Sequence, residues 1–378
     1  DSISGQWDYI EPALFGYAAA KLIESFTSYY HEYHNIVAQF HEWMTGTGLL
    51  YLKKNTPWIA TSFTTHATVL GRCIAGNNRP LYGKMKEYNP IQIAREFNVV
   101  AKQSLEKTSA VEADVFTTVS EITSRECSHF LGKDVDIVTP NGFEDSFVPS
   151  SEHFDTKRAA ARSKLKTVAE AILGYNVAEN AVFIVNSGRY EFRNKGVDIF
   201  IDSLGDLNKK DALKKECVAF ILMPAYHKGP RQDLIDILNN NGDVNYGDKY
   251  LSHNLHYPNT DPTLQRIQHN NLNNDEEASV KVIFVPSYLN GNDGIFNMPY
   301  YDLLIGFDLS AFPSYYEPWG YTPLESLMFS IPTITTSLSG FGLWVKDYFK
   351  EPGYGIDVIE RTDDNEHKVV SEIRKFMS

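Results

Sequence analysis

Apolar and polar positions divide this chain into alternating helix-like and strand-like runs. From Tyr17 to Tyr33 apolar residues recur at helical spacing, which predicts an amphipathic helix. Asn35–Phe40 is a short apolar run leading into His41-Glu42-Trp43. β-Branched and aromatic runs at Pro57–Thr65, Val115–Val119 and Val135–Val138 predict strands, with a helix between the last two. After Asn141-Gly142 the character changes, and the polar segment Glu144–Glu152 is expected to be a hinge. A second series of strands is predicted at Ala181–Val185, Val218–Leu222, Val280–Val285, Leu309–Pro313 and Ile331–Thr335. Such alternation is the signature of a parallel α/β sheet. Two such halves about a hinge suggest a cleft, with ligands beyond the C-terminal strand ends. Asn239–Glu277 is rich in Asn, Asp and His and reads as too polar for a core element. It is a surface excursion, an oligomer contact or a mobile loop.

The 378 residues are enough for two domains or one large one. A formal net charge of −13 argues against a general nucleic-acid or anionic-membrane binder. It leaves room for a local basic pocket, and a neutral polysaccharide is indifferent to it. Cys73, Cys127 and Cys217 are far apart and form no zinc spacing, which suits a reducing cytosol. No apolar run is long enough to span a bilayer, and no signal peptide is visible. The chain opens at Asp1 and enters a helical pattern at once, so the start of a longer natural protein is expected to precede it.

The densest chemistry lies in Ser310–Gly342: a strand, a turn with Glu317, a helix opening near Thr322, another strand and a glycine-rich loop. Thr322-Pro323-Leu324-Glu325 reads as a helix start, with Glu325 either a capping-box acid or a carboxylate for ribose hydroxyls. The helix N-terminus suits a diphosphate. Glu317, between Tyr316 and Pro318-Trp319, is either an exposed turn acid or a pocket carboxylate. In a pocket it can bind sugar hydroxyls and steady positive charge at an anomeric carbon. Arg189 and Lys195, at a strand end near glycines, suit a leaving diphosphate, or form a solvated basic loop with Arg193. His66 closes a strand among Thr64, Thr65 and Thr68, while Asn141 can be a plain turn residue. Tyr300 and Tyr301 are core or rim aromatics, or one of them stacks on a base.

These runs together resemble the glycogen synthases of animals and fungi. The resemblance covers about Gln39 to Gly342 and is carried by QFHEW at Gln39, FTTHATVLGR at Phe63, VFTTVSEIT at Val115, DIVTPNGF at Asp136, GRYEFRNKG at Gly188 and PSYYEPWGYTPLES at Pro313. Glu317 and Glu325 match the family's E-x7-E motif. The resemblance implies a GT-B glycosyltransferase: two Rossmann-like domains with the active site in the cleft. It implies a partial N-terminal, acceptor-side domain over residues 1–143. A C-terminal nucleotide-sugar-binding domain would then cover 144–378, with a polar insertion near 239–277. The implied reaction is retaining transfer of glucose from UDP-glucose to the non-reducing end of an α-1,4-glucan, in the cytoplasm.

By the same resemblance His66 would hydrogen-bond the donor glucose and Asn141 would face it. Arg189 and Lys195 would neutralise the departing diphosphate, and Tyr300 would stack on uracil. Glu317, with backbone near Trp319 and Gly320, would grip glucose hydroxyls. Tyr321 and Thr322 would offer N–H groups to phosphate, and Glu325 would hold the ribose. No cofactor or metal is implied beyond the donor itself, and no DxD pair sits at a strand end. Glucan and UDP-glucose are the expected partners, without nucleic acid or membrane, and a homo-oligomer is left open. Three departures stand out. The family's N-terminal glycine-rich loop with its lysine is not in this chain, its regulatory arginine-rich helix should lie beyond Ser378, and Val285 stands where the family often has histidine. Two alternatives remain: an inactive glucan-binding or regulatory GT-B protein, and a GT-B transferase using another donor such as ADP-glucose.

Overall fold

The computed structural model describes residues 6–209, 213–240, 242, 247–349, 353 and 355–378. They fall into two compact units, residues 1–142 with 339–344, and 143–338 with 345–378.

The first unit contains helix α1 (Trp7–Tyr30), strand β1 (Val37–His41), α2 (Glu42–Asn55), β2 (Ala60–Thr65), α3 (Val69–Gly76) and α4 (Pro90–Glu96). It continues with α5 (Val100–Glu112), β3 (Val115–Thr118), α6 (Glu121–Glu126) and β4 (Ile137–Val138). The strands form one parallel sheet in the order β1-β2-β3-β4. Phe40, Phe63 and Phe116 from its strands meet Leu49, Leu52 and Cys127 in one core. The predicted helix begins earlier than its apolar pattern, at Trp7. It buries little beyond Gly16, Ala20 and Thr27. A Cβ at Gly48 would press on the Gly16 carbonyl, so the two backbones meet where only glycine fits.

The second unit runs α7 (Ser151–Leu173), β5 (Val182–Ser187), α8 (Val197–Lys209), β6 (Cys217–Leu222), β7 (His227–Pro230), α9 (Gln232–Leu238), β8 (His253–Leu255), α10 (Pro262–His269) and β9 (Val280–Val285). It ends with α11 (Tyr300–Leu304), β10 (Leu309–Ala311), α12 (Tyr321–Met328), β11 (Thr333–Thr336), β12 (Ile356–Ile359) and α14 (Glu366–Met377), while α13 (Gly340–Tyr348) begins in the segment 339–344 that belongs to the first unit. The second unit's main sheet is ordered β12-β11-β10-β5-β6-β9, and every pairing in it is parallel. β6, a central strand, and β9, at the end of the sheet, are buried at every position; β6 is apolar throughout, and β9 is apolar except for Lys281, whose ammonium pairs with Glu216 at 2.9 Å. Alternate side chains go to opposite faces: Phe183, Val185, Phe220 and Ile283 to one core, Ile184, Ile221, Val282 and Phe284 to the other. In chain order this is the 3-2-1-4-5-6 arrangement of a dinucleotide-binding sheet. Strand order reverses between β5 and β10, and the crevice beyond their C-terminal ends is where such folds bind ligands.

The polar stretch Asn239–Glu277 departs from expectation. Residues 241 and 243–246 lie outside the described residues. The remainder supplies Leu251, Leu255, Leu264, Ile267 and Leu272 to the core. Buried Asn274 accepts from Val282 N at 2.8 Å and donates to Val282 O at 2.8 Å. It thus satisfies the free edge of β9 as a neighbouring strand would. Asp261 caps α10 by accepting from Leu264 N at 3.0 Å. The Asn and Asp content here terminates a sheet and starts a helix. Among the described residues no helix is long and apolar enough to cross a membrane.

Candidate active site

Two loops leave the switch point side by side, 188–196 after β5 and 312–320 after β10, and they interlock. The amides of Tyr315 and Tyr316 both donate to the Asn194 carbonyl, at 2.9 and 3.2 Å. Gly196 has a φ of +68°, and a Cβ there would collide with the Pro313 carbonyl. Only glycine tolerates both conditions. Two guanidinium groups lie over the Tyr315 ring, Arg193 at 4.3 Å and Arg361 at 5.4 Å from its centroid. Its hydroxyl donates to Asp363 at 2.6 Å. Arg361, fully buried just past β12, also donates to the Pro313 carbonyl. Thr336 donates to Ser314 O at 2.6 Å.

This clamp puts the Lys195 ammonium against the Glu317 carboxylate as a direct ion pair, each side chain only 11% exposed. The field of Lys195 also reaches Glu325, whose pKa is raised by burial and drawn back by Tyr301 and Lys195. Lys195, Glu317 and Glu325 therefore converge. Arg189 sits on the same loop but is exposed, its guanidinium 3.2 Å from Glu191. The structure brings it to the same strand end without drawing it into the buried pair.

α12 begins at Tyr321, one residue before the expected start. Gly320 is its N-cap with φ +107°, and no side chain caps it. The capping-box reading of Glu325 is thereby corrected. With Thr322 already inside the helix there is no threonine cap to reciprocate, and Glu325 accepts from the Tyr301 hydroxyl at 2.9 Å instead. The first amides of an α-helix, here those of Tyr321 and Thr322, have no partner within the helix, and its positive end faces outward. Trp319 is buried immediately before the cap. Tyr300 is half-buried with its hydroxyl 2.8 Å from Ser187 Oγ at the end of β5, and burial raises its pKa. Of the adjacent tyrosines, one is thus tied to the strand end and the other to Glu325.

In the first unit His66 follows β2 and stands half-buried with Nε2 3.0 Å from His41 Nδ1. Burial, and then the neighbouring His41, lower its pKa. Glu42 accepts from the His66 amide at 2.9 Å and the Ala67 amide at 3.2 Å. Its φ of +63° is rare for a residue with a side chain. Burial raises its carboxyl, against the two amides and the charge of Arg72. Asn141 lies in the loop after β4, partly exposed. Sequence reasoning assigned roles to His66 and Asn141 and none to His41 or Glu42. The signal was present in QFHEW, where Glu42 is the first residue past a strand end, the edge at which such sheets gather ligands. Two more buried acids adjoin this segment. Glu106 accepts from Val69 N at 3.1 Å, and Glu126 accepts from the Thr68 hydroxyl at 2.6 Å.

The chain is similar in structure to the catalytic domain of starch synthase IV from Arabidopsis thaliana, with a TM-score of 0.56 at 14% identity over 100% of this chain and 71% of that one. An α,α-trehalose-phosphate synthase (UDP-forming) from Burkholderia vietnamiensis gives a TM-score of 0.58 at 10% identity, over 99% and 72%. With two Rossmann-like units and these likenesses, the fold is that of the GT-B glycosyltransferases.

Within that class the chain belongs to the glycogen synthase family, whose model matches residues 7–232 and 249–378. It is 31% identical over 414 residues to glycogen [starch] synthase isoform 1 of Saccharomyces cerevisiae, covering 91% of this chain and 58% of that protein. The liver enzyme of Homo sapiens is 32% identical over 399 residues, 90% of this chain and 56% of its own length. The chain thus spans under three-fifths of these relatives.

Proposed function

We propose that this chain carries the donor-binding and catalytic machinery of a retaining hexosyltransferase. It would move glucose from UDP-glucose to the non-reducing end of an α-1,4-glucan in the cytoplasm. The observation that supports this best is the buried Lys195–Glu317 pair at the β5/β10 switch point, beside an uncapped helix N-terminus. A cation and an oriented set of amides suit a diphosphate, and a carboxylate between them suits sugar hydroxyls.

In this reading the C1–O bond to the diphosphate breaks while the acceptor O4–C1 bond forms on the same face. The acceptor proton passes to the departing phosphate oxygen. Lys195, Arg189 and the Tyr321 and Thr322 amides take up the charge of the leaving UDP. Glu317, with backbone at Trp319 and Gly320, holds glucose hydroxyls and stabilises the oxocarbenium-like centre. Glu325 takes the ribose and Tyr300 the uracil. His66, kept neutral near pH 7 by its lowered pKa, is assigned to the donor glucose together with Asn141. The residues assigned to the leaving group are cations and amides, so the proposal calls for no metal or other cofactor.

The test is an assay of the complete protein with labelled UDP-glucose and ADP-glucose, with and without glycogen. Label should enter glycogen from UDP-glucose only. Glycogen binding without transfer from either donor would favour a non-catalytic glucan-binding protein, and faster transfer from ADP-glucose would overturn the donor assignment.

A further inference from the structure

Glu325, the third charged group of the site, is held from outside its own helix. Among the described residues its carboxylate has one hydrogen-bond donor, the Tyr301 hydroxyl, which donates to Oε1 at 2.9 Å. Oε2 accepts no bond from them. Lys195 is near enough for its charge to act on Glu325. A glutamate turns freely about three side-chain torsions, so an untethered one could swing to that ammonium in competition with Glu317. The bond to Tyr301 opposes that swing and leaves Oε2 open to a ligand.

Tyr301 is itself fixed on several sides. It lies in α11, where Leu303 and Leu304 are fully buried. Two residues of α7 anchor the same helix. Lys157 pairs with Asp302 at 3.0 Å, and Arg158 donates to Ile305 O at 2.9 Å. Three phenylalanines meet the Tyr301 ring: Phe329 stacked at 5.5 Å and 17°, Phe147 at 5.3 Å and 37°, and Phe143 edge-on at 5.9 Å and 82°. Phe329 belongs to the core. The other two do not come from a regular core element. Phe143 is the first residue of the second unit. Phe147 follows the polar run Glu144-Asp145-Ser146 and is 55% exposed, so the ring contacts are what its side chain gains there. The segment that joins the two units is thus docked on the tyrosine that holds Glu325.

Packing alone does not account for the hydroxyl. A ring that only filled this cluster could be phenylalanine, as its three partners are. Tyr301 is half-buried, so water could have served its hydroxyl without a protein partner. Its neighbour Tyr300 takes the other direction, to Ser187 at the end of β5. The short helix α11 therefore sends one hydroxyl to the strand end and one to the carboxylate of α12.

We propose that Tyr301 is a positioning residue for the donor. It holds Glu325 so that Oε2 faces the ribose hydroxyls, and the joining segment 143–147 holds Tyr301 in turn. The ribose is taken from the function proposed above, while the Tyr301 linkage stands on its own geometry.

The experiment uses the complete protein. Affinities for UDP and for 2′,3′-dideoxy-UDP are measured by calorimetry in the parent, Tyr301→Phe and Phe147→Ala. The parent should prefer UDP, because only UDP offers the hydroxyls that Glu325 would hold. Tyr301→Phe keeps the ring and gives up one hydrogen bond to a charged group, so UDP should bind about tenfold more weakly. Dideoxy-UDP should change by less than about twofold in the same variant, since the lost group acts through the ribose. In transfer assays KM for UDP-glucose should rise by more than kcat falls. Phe147→Ala leaves the hydroxyl and loosens the ring, and should weaken UDP by about threefold while sparing dideoxy-UDP. Equal losses for both nucleotides in Tyr301→Phe would make Tyr301 a general support of the fold and overturn the proposal. So would a UDP affinity within twofold of the parent in that variant. An unaltered UDP affinity in Phe147→Ala would overturn the role of the joining segment. A parent that binds both nucleotides equally would overturn the ribose role of Glu325 and this inference with it. Tyr301-dependent preference for UDP in a protein that transfers no glucose would defeat the transferase reading and leave this one standing. Normal transfer with unaltered UDP affinity in Tyr301→Phe would do the reverse.

Discussion

Replacing Glu317 by Gln removes one charge and almost no volume, so it isolates what the carboxylate contributes electrostatically. In the folded protein it leaves Lys195 nearly enclosed without its direct partner. Breaking a fully buried pair costs about 3–5 kcal/mol. Here each side chain keeps 11% exposure and the charge of Glu325 is within reach of Lys195. The expected loss of stability is therefore lower, about 1–3 kcal/mol. The effect on rate is larger. A group aimed at charge that develops in the transition state is worth about 10²–10³ in kcat, or about 2.7–4 kcal/mol. The assay pairs initial rates of glucose transfer to glycogen with a denaturant unfolding curve of the same preparation. Lys195→Met and the double variant complete a thermodynamic cycle. If the two groups act as one unit, the double variant should be little slower than the worse single one. A Glu317→Gln enzyme within threefold of the parent rate would refute the reasoning. Strict additivity of the two single losses would refute the coupling.

Lys195→Ala should lower kcat more than it weakens UDP binding by calorimetry, because its charge matters most as the diphosphate departs, and equal losses would reduce it to ground-state binding. Tyr300→Ala should weaken UDP by about 1–3 kcal/mol if the ring stacks on the base, whereas Tyr300→Phe, which gives up only the Ser187 bond, should cost about 1 kcal/mol; an unaltered UDP affinity in Tyr300→Ala places the base elsewhere. Glu106 is fully buried, and burial, followed by the charge of Glu42, raises its pKa well above 4.5. The native state then holds a proton that the unfolded chain releases, so this residue's contribution is intact below about pH 4.5 and is lost as pH rises toward the native value. Glu106→Gln should therefore gain stability relative to the parent between pH 5 and 8, and a difference that stays flat across that range would exclude the effect.

The sheet that carries the site was legible because its strands are what central parallel strands must be. Five of its six elements were located from apolar runs alone. β12 was missed because an edge strand need not be apolar, and only Ile359 of its four residues is buried. β8 and α10 were missed for a different reason. Their core residues Leu255, Leu264 and Ile267 are spaced widely among Asn and Asp, and composition averages them away. The backbone role of Asn274 has no signature in a single sequence, since it depends on an edge of β9 that exists only once the sheet has formed. At the site Glu317, Lys195 and Glu325 could be named from their neighbours, but one of the two readings left open for Glu325, the capping box, has no cap partner. The error follows from placing the helix start at the first threonine, when the left-handed Gly320 begins it.

How the pair at Lys195 and Glu317 is held bears on what it is for. Adjacent parallel strands deliver two loops about 4.8 Å apart, which alone would leave flexible side chains many ways to avoid each other. The chain removes that freedom with Gly196 against Pro313, two amides on Asn194 O, and two guanidinium groups on Tyr315. The arrangement is not the most stable one available. Arg361 keeps Nε and Nη2, and Arg193 keeps Nη1, buried without a protein hydrogen bond. Unsatisfied buried donors each cost about 1–3 kcal/mol. A surface loop serving only to connect β10 to α12 would not need such a clamp. Local order kept at a stability cost, around an ion pair at a strand-order switch point, is what a site must have when it works by fixed charges. Under the proposed function the clamp would be part of the catalytic apparatus, since it fixes where the carboxylate and the ammonium can be.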